Sequence, residues 1–381
     1  MKTYTVGDCF YYIQNGANIK QGVINGGFPI TRIETISNGR FNRDRMGYAG
    51  IKDISKYRQY VLEDGDLLMS HINSVQYLGR TVLYQKNNDE IIIHGMNLLK
   101  LKANRDIIVP AYAKYYFDSN PFKEQLRRIT KKSVNQASFT VNDLKRLIIQ
   151  CPDISEQAEI ISKLDMLRHI IMLRQQEINR LDELVKARFA ELFGDPVADS
   201  RGWGQVPLKQ MLKSIRYGTS TPPVFAEDGY CFIRATNIKN GRIVNNDMKH
   251  ISQYEADRLE KCKLAGGEVL IVRSGVNAGD TCVITDEYIG QYAGYDMILV
   301  MKDEMNPIFL NELINTGYMN KVVKPLTRRA AQPHLNSEQV QSFPIIKVPK
   351  YLQDEFADFV KQTNKSELLE AWQAGFIAKI R

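Results

Sequence analysis

The sequence predicts an α+β protein with two β-rich domains, separated by a pair of long antiparallel coiled-coil helices and related by a pseudo-twofold internal repeat. Three observations predict this fold. A stretch near the middle of the chain has the apolar spacing of a coiled-coil helix. The segments before and after it alternate short strand patterns with turns. Blocks of residues ahead of this stretch recur behind it in the same order.

The first predicted domain, residues 1–152, consists mainly of strand and turn patterns. A helix is predicted from residue 111 to 128 and is opened by Pro110. Turns are indicated at Asn38-Gly39 and at residues 64–66. Strands are expected at residues 28–33, 67–70, 80–84, 91–93 and 98–101.

The central element, residues 153–195, is predicted to be a spacer helix from Ser155 to Phe193. Asp153 or Ser155 can cap its start, and Gly194 with Pro196 ends it. At roughly 1.5 Å per residue it would be about 58 Å long, more than one small domain needs. An ordinary buried helix is therefore the less favoured interpretation. The predicted seam consists of Ile160, Leu164, Leu167, Ile171, Ile178, Leu181, Val185 and Leu192.

Additional apolar residues lie beside this seam. They widen the apolar face, so the helix is expected to cover more than one neighbour. They are Ile161, Met166, Ile170, Leu173, Leu184 and Phe189.

The second half of the chain repeats the first as a domain at residues 196–348 and a helix at 349–381. Residues 65–68 correspond to 267–270 at an offset of 202, and Gln136 corresponds to Gln332 at an offset of 196. The final helix is interrupted at residues 362–366 and is expected to pair antiparallel with the central helix. Its predicted seam residues are Phe356, Val360, Leu369, Trp372 and Phe376.

Composition is that of a soluble globular protein with a basic surface. The 381 residues are 44% hydrophobic and 25% charged, with a formal net charge of +8. The positive charge favours a polyanionic partner such as nucleic acid. Five cysteines without a CxxC pair indicate a reducing compartment, and no signal peptide or membrane span is recognised. We therefore expect cytoplasmic localisation.

Motifs for catalysis and metal binding are missing. The five histidines form no HExxH pattern, and neither a G-x-S-x-G nor a Walker A pattern occurs. An Asn-Pro-Pro-aromatic methyltransferase motif is also missing. The sequence therefore predicts no catalytic residue, no metal site and no cofactor for this chain.

Polar and basic residues form three clusters in each domain, at corresponding positions. Arginine and lysine suit guanine edges and phosphates, whereas asparagine and glutamine suit adenine edges. Arg32 and Arg234 have a competing structural interpretation, because they occupy equivalent positions of the repeat. The candidate DNA-binding residues are Arg32, Asn38, Arg40, Arg43, His71, Asn73, Lys131, Lys132, Gln136 and Ser138 in the first domain, and Arg234, Asn237, Arg242, Arg273, Ser274, Asn277, Arg328, Arg329 and Gln332 in the second.

Over nearly its whole length the chain resembles the specificity subunit of Type I restriction–modification enzymes. The resemblance rests on the domain–helix–domain–helix order, on residues 151–160 (CPDISEQAEI) at the helix start, and on residues 192–196 (LFGDP) at its end. The second helix start keeps only the glutamine, as Gln353.

This resemblance implies a non-catalytic subunit with two target-recognition domains, each reading one half of a bipartite site in double-stranded DNA. The helices would set the spacing and dock two modification subunits, which carry S-adenosylmethionine, and restriction subunits would join for cleavage. Two alternatives stay open: a scaffold that assembles proteins without binding DNA, and a self-sufficient methyltransferase or nuclease, which the missing motifs oppose.

Overall fold

The computed structural model describes residues 1–19, 23–24, 26–133, 136–327 and 333–363. The chain divides into two compact units, Met1–Ile171 and Met172–Arg381, and one long helix contributes residues to both. The predicted domain boundaries at residues 152, 195 and 348 remain predictions.

The first unit is a mixed structure of short strands and helices. Its strands are β1 (Lys2–Thr5), β2 (Phe10–Asn15), β3 (Val23–Ile24), β4 (Pro29–Ile30), β5 (Gly47–Ala49), β6 (Leu67–Ser70), β7 (Ile72–Asn73), β8 (Thr81–Leu83), β9 (Leu98–Ala103), β10 (Lys131–Lys132), β11 (Ala137–Ser138) and β12 (Ile148–Cys151). Its helices are α1 (Val6–Cys9), α2 (Pro110–Asp118), α3 (Asn120–Ile129), α4 (Val141–Lys145) and the long α5 (Ile154–Phe193).

A four-stranded antiparallel sheet with the order β2-β9-β6-β8 forms the centre of this unit. One face of the sheet packs against α2, α3 and the start of α5, with Phe117 and Phe122 among the buried side chains. The helix predicted at 111–128 is in fact two helices that break at Ser119, which adopts an extended conformation. Pro121 explains the break, because a proline ring clashes with the carbonyl four residues earlier in a continuous helix.

The second unit has the same type of architecture. Its strands are β13 (Gln205–Pro207), β14 (Leu212–Tyr217), β15 (Phe225–Ala226), β16 (Tyr230–Ile233), β17 (Ile238–Lys239), β18 (Arg242–Ile243), β19 (Lys249–Ile251), β20 (Val269–Ile271), β21 (Thr281–Val283), β22 (Tyr292–Ala293), β23 (Met297–Met301) and β24 (Pro344–Ile346). Its helices are α6 (Gln253–Arg258), α7 (Pro307–Leu313), α8 (Lys324–Thr327), α9 (Ser337–Gln341) and α10 (Lys350–Thr363), with the π-helical segment Ile314–Val323 between α7 and α8.

The internal repeat is visible in the strand order and in its irregularities. The central sheet of the second unit has the order β14-β23-β20-β21, which matches the first sheet strand for strand. Both sheets carry a register shift at the same place, between Phe10 and Tyr12 in one and between Leu212 and Ser214 in the other. Such an extra residue bends a strand locally, so the two copies share even this bend.

A buried glutamine fixes the start of a helix in each unit by three hydrogen bonds. Gln157 accepts from the Val109 amide at 2.8 Å and donates to the carbonyls of Ile107 at 2.8 Å and Pro152 at 2.9 Å. Gln353 makes the corresponding set, with Asn306 at 2.8 Å, Glu304 at 3.0 Å and Val348 at 2.8 Å. Every backbone group in these sets belongs to a loop that leads into or out of the sheet domain. The glutamine therefore ties the helix start to that domain.

The long helix α5 ends at the predicted Phe193 and begins at Ile154, one residue before the predicted Ser155. The Asp153 carboxylate caps it by accepting from the Glu156 amide at 2.8 Å. Gly194, which follows the last helical residue, has φ +76°, the left-handed conformation that a glycine adopts without strain. In the second unit the end of α5 packs against α10, because the Phe189 and Phe193 ring centroids each lie 5.5 Å from that of Phe356.

Candidate nucleic-acid interface

Two of the three predicted clusters in the first unit come together on one small sheet. The strands β10, β11 and β7 pair in that order, with Asn73 opposite Ala137 and Lys131 opposite Ser138. Lys131, Lys132 and Gln136 are exposed. The Asn73 amide donates to Ser70 Oγ at 3.2 Å and accepts from the Ser74 amide at 2.8 Å, so its orientation is fixed. A basic, amide-bearing surface results.

The first cluster of this unit is only partly available to a ligand. Asn38 and Arg40 are exposed, and the Arg32 side chain forms one exposed ion pair, with Glu34 at 3.4 Å. Arg43 instead donates to Glu90 Oε2 at 2.9 Å and to the Gln85 carbonyl at 2.8 Å. This guanidinium holds the pKa of the Glu90 carboxyl down at about 2. Arg43 therefore has a structural role.

His71 was predicted to contact DNA, but the structure buries it. Its exposed fraction is 7%, and its ring packs against the edge of Phe139 with 6.4 Å between centroids. Burial lowers the pKa of His71, because a charged imidazolium would lose its hydration. A neutral, packed ring of this kind belongs to the interior rather than to the interface.

Three residues of the second unit that were predicted to contact DNA instead form hydrogen bonds within the protein. Asn237 is completely buried, accepts from the Arg234 amide at 3.2 Å and donates to the carbonyls of Val244 and Asn246. Arg234 itself donates to Asp247 at 3.0 Å. Its unit-one counterpart, Arg32, also precedes a short 3-10 helix, which supports the structural interpretation of this repeated arginine.

Arg242 belongs to the same group. Its guanidinium donates to Asp182 of α5 at 2.8 Å, and only 16% of the side chain is exposed. It connects the β17–β18 hairpin with the long helix, so it is not free to bind a phosphate or a base.

Three further predicted residues of the second unit, Arg273, Ser274 and Asn277, lie in one loop. Ser274 Oγ lies 2.7 Å from His334 Nδ1, and the Leu335 amide donates to the Arg273 carbonyl at 2.9 Å. The Asn277 amide donates to the Ala235 carbonyl at 3.3 Å. Three segments that are far apart in sequence are therefore held together around this loop, as the two pairing strands hold Asn73 and Ser138 in the first unit.

Sequence reasoning missed the aromatic residues beside these loops. The Arg273 guanidinium carbon lies 4.7 Å from the Tyr217 ring centroid and 4.6 Å from that of Tyr295. In the first unit, the Arg80 guanidinium carbon lies 4.4 Å from the Tyr77 ring centroid. Tyr217 and Tyr295 are distant from Arg273 in sequence, and no local pattern signals the contact.

Several predicted residues lie outside the described part of the chain. For the interface these are Arg328, Arg329 and Gln332, and for the helix seam they are Leu369, Trp372 and Phe376. Their assigned roles remain predictions.

The seam of α5 differs in exposure from the apolar residues beside it. Ile178 and Val185 are buried, at 7% and 1% exposure, and the other predicted seam residues of α5 are half-buried. Of the apolar residues beside the seam, Phe189 is buried and Ile161 is half-buried, whereas the others are exposed, with 63% for Met166, 42% for Ile170, 47% for Leu173 and 49% for Leu184. The helix therefore presents an apolar face that nothing in the described residues covers.

Two further properties of the described residues bear on function. They contain no group of three or more His, Cys, Asp or Glu side chains arranged to hold a metal ion. In the same part of the chain, no helix combines the length and apolar character needed to cross a membrane.

Comparison with known proteins finds similarity to one family over about half of the chain. Residues 1–183 match the family model of the Type I restriction modification DNA specificity domain. The chain is similar over about half of its length to Type I specificity subunits. It is 35% identical over 208 residues to the MjaX specificity subunit of Methanocaldococcus jannaschii, covering 52% of this chain and 48% of that protein. It is 23% identical over 186 residues to the EcoKI specificity subunit of Escherichia coli strain K12, covering 48% and 40%.

A solved specificity subunit shows the same fold. The Type I restriction–modification S subunit from M. genitalium superposes with a TM-score of 0.57 at 12% identity, over 99% of this chain and 93% of that one. This likeness confirms the predicted fold of two domains and a long connecting helix. The present chain spans about half the length of the curated specificity subunits that it matches.

Proposed function

We propose that this chain is the DNA-recognition subunit of a Type I restriction–modification complex and is not itself an enzyme. The observation that carries the proposal is the same in each unit: polar side chains from segments far apart in sequence meet at one end of the central sheet. In the first unit these are Asn73, Lys131 and Ser138, and in the second they are Arg273, Ser274 and His334. Basic and amide groups held in this way suit base edges and phosphates of a duplex.

Each unit would read one half of a bipartite target. Two separate compact units, each with its own loop cluster, support this division. We no longer propose DNA contacts for residues that are buried or that bind other parts of the protein. These are Arg43, His71, Arg234, Asn237 and Arg242.

The long helix would set the distance between the half-sites and dock two modification subunits, with restriction subunits joining for cleavage. The exposed apolar residues Met166, Leu173 and Leu184 support a docking role, because a helix face of this kind is stabilised by a partner. S-adenosylmethionine would then be bound by the modification subunits.

Methylation profiling tests the proposal. A host that carries this chain with its modification subunits should methylate two short sequences separated by a fixed gap. Asn73→Ala should change only one of the two sequences and Ser274→Ala only the other. A complex that assembles but binds duplexes of any sequence equally would instead favour a protein scaffold, and changes in both half-sites from either variant would contradict the division between units.

A further inference from the structure

Arg273 differs from three other arginines of the second unit in having no acidic partner among the described residues. Arg216, Arg234 and Arg258 are ion-paired with Glu268, Asp247 and Glu255 respectively. Among the described residues, the guanidinium of Arg273 has neither an ion pair nor a hydrogen bond, and its Nε is buried. Its two terminal nitrogens have no acceptor among the described residues, so they are available to a ligand that accepts hydrogen bonds.

The position of this guanidinium is nevertheless fixed. It contacts the rings of Tyr217 and Tyr295, with 4.7 and 4.6 Å from its carbon to the two centroids. The Arg273 amide also donates to the buried carboxylate of Asp296 at 3.1 Å. Contact with ring faces uses the charge of a guanidinium and not its N–H groups, so the two terminal nitrogens can still donate as a fork.

The loop beside Arg273 is suited to contact with base edges in a DNA groove rather than with a backbone phosphate. Val276, at its tip, is 97% exposed and therefore presents an aliphatic side chain to any bound molecule. The Ser274–His334 contact and the Gly275 amide, which donates to the Pro333 carbonyl at 3.1 Å, hold the loop in place. An apolar tip suits a thymine methyl group or another base edge in the major groove, and it gains nothing from a phosphate.

We propose that Arg273 reads one guanine of the half-site recognised by the second unit, and that Tyr217 and Tyr295 position it. Guanine presents two acceptors, N7 and O6, on its major-groove edge, which match the two donors of the fork. Adenine and thymine each present only one acceptor there, and cytosine presents a donor. The inference rests on the proposed DNA-reading function and adds to it the base and the residues that select it.

Guanine scanning tests this inference. The probe is a duplex with the target mapped by methylation profiling, in which 7-deazaguanine replaces each guanine in turn and thereby removes one N7 acceptor. Binding by the full chain with its modification subunits is measured by fluorescence anisotropy. For the wild type, one deaza substitution should weaken binding about tenfold, within the range of a bidentate base contact. In Arg273→Ala the sensitivity at that guanine should disappear, while Arg258→Ala should keep it.

The tyrosines are tested by a readout that stability alone would not change. Tyr295→Leu removes one ring and keeps the charge, so it should reduce the preference for that guanine while the salt dependence of binding stays the same. Tyr295→Phe keeps the ring and should restore the preference.

Three outcomes separate the possibilities. If the wild type binds target and random duplexes equally, the proposed function itself fails. If the wild type discriminates but no guanine loses its deaza sensitivity in Arg273→Ala or Arg273→Lys, the inference is wrong. If Arg273→Ala weakens binding to all duplexes alike and reduces the salt dependence, Arg273 contacts a phosphate and the inference is also wrong.

Discussion

Replacing Gln157 with methionine should destabilise the first unit by about 3 kcal/mol. The side chain is fully buried and makes three hydrogen bonds to the backbone, at 2.8, 2.8 and 2.9 Å. A net contribution of about 0.5–1.5 kcal/mol for each bond gives about 1.5–4.5 kcal/mol in total. Methionine preserves the approximate volume, so the loss reports the hydrogen bonds rather than a cavity.

The same substitution at Gln353 should cost the second unit a similar amount. Gln353 is 2% exposed and makes three bonds of nearly equal length to equivalent backbone groups. Gln157→Glu should be worse than methionine, because a carboxylate oxygen would then face the carbonyls of Ile107 and Pro152 without a hydrogen to donate.

Urea unfolding followed by circular dichroism provides the measurement. Each variant should lower the midpoint of its own unit's transition, and the two losses should add in the double variant, because the sites belong to separate units. Gln175→Met is the matched control: Gln175 is exposed on α5 and, within the described part of the chain, its side chain hydrogen-bonds only to Asn179, at 3.2 Å, so a change within about 0.5 kcal/mol is expected. A loss below about 1 kcal/mol for both buried glutamines would refute the reasoning.

Three further predictions concern the helix, the interface and pH. Inserting four residues after Gln175 should lengthen α5 by about 6 Å and enlarge the gap between the half-sites by about two base pairs, without changing their sequences; methylation-site sequencing that finds the old gap at full activity would contradict a spacer role. Lys131→Ala should weaken binding to all duplexes and reduce the salt slope by about 1, whereas Lys52→Ala should not, as anisotropy titrations between low and high salt would show. Because Arg43 holds the pKa of Glu90 at about 2 against an ordinary 4.5, the stability from this pair is present above pH 4.5 and is lost as the pH falls toward 2. The difference in unfolding free energy between the wild type and Arg43→Met should shrink over that interval, and a constant difference would exclude the linkage.

The features that could be predicted from sequence depend on local pattern. The ends of α5 follow from a capping aspartate and a glycine, and the strands β6 and β9 follow from short apolar runs between turns. The repeat was recognisable because framework residues such as Gln157 and Gln353 make equivalent hydrogen bonds in both copies. The break at Ser119 was missed because helical periodicity outweighed the effect of Pro121 in the prediction.

The interface could be predicted only in outline, because the use of a polar side chain depends on partners that are distant in sequence. Asn237 and Arg242 have the residue types of DNA readers, but their hydrogen bonds to the Val244 carbonyl and to Asp182 commit them to the fold. Conversely, Arg273 became the strongest candidate because of two tyrosines that no motif connects with it.

The two copies differ where the reading residues lie, and this follows from the registers of the central sheets. Tyr217 ends β14 opposite Met297, and Asn15 ends β2 opposite Leu99, so these two positions correspond. Tyr295 lies two residues before Met297, and neither Met96 nor Asn97, which precede Leu98 in the first unit, is aromatic. The Leu335 amide donates to the Arg273 carbonyl, and the Phe139 amide donates to the His71 carbonyl. Arg273 and His71 therefore occupy equivalent positions in the two units.

The tyrosine–arginine arrangement therefore does not recur in the first unit, where Asn15 and the buried His71 stand at the positions of Tyr217 and Arg273. The framework glutamines and the register shifts, in contrast, recur in both units. The two units thus share their framework but carry different side chains where each is proposed to contact DNA. Recognition of two different half-sites would require this combination. The first unit has no arginine at the position of Arg273, so it cannot read a guanine in the same way. We therefore expect the two halves of the target to differ in sequence.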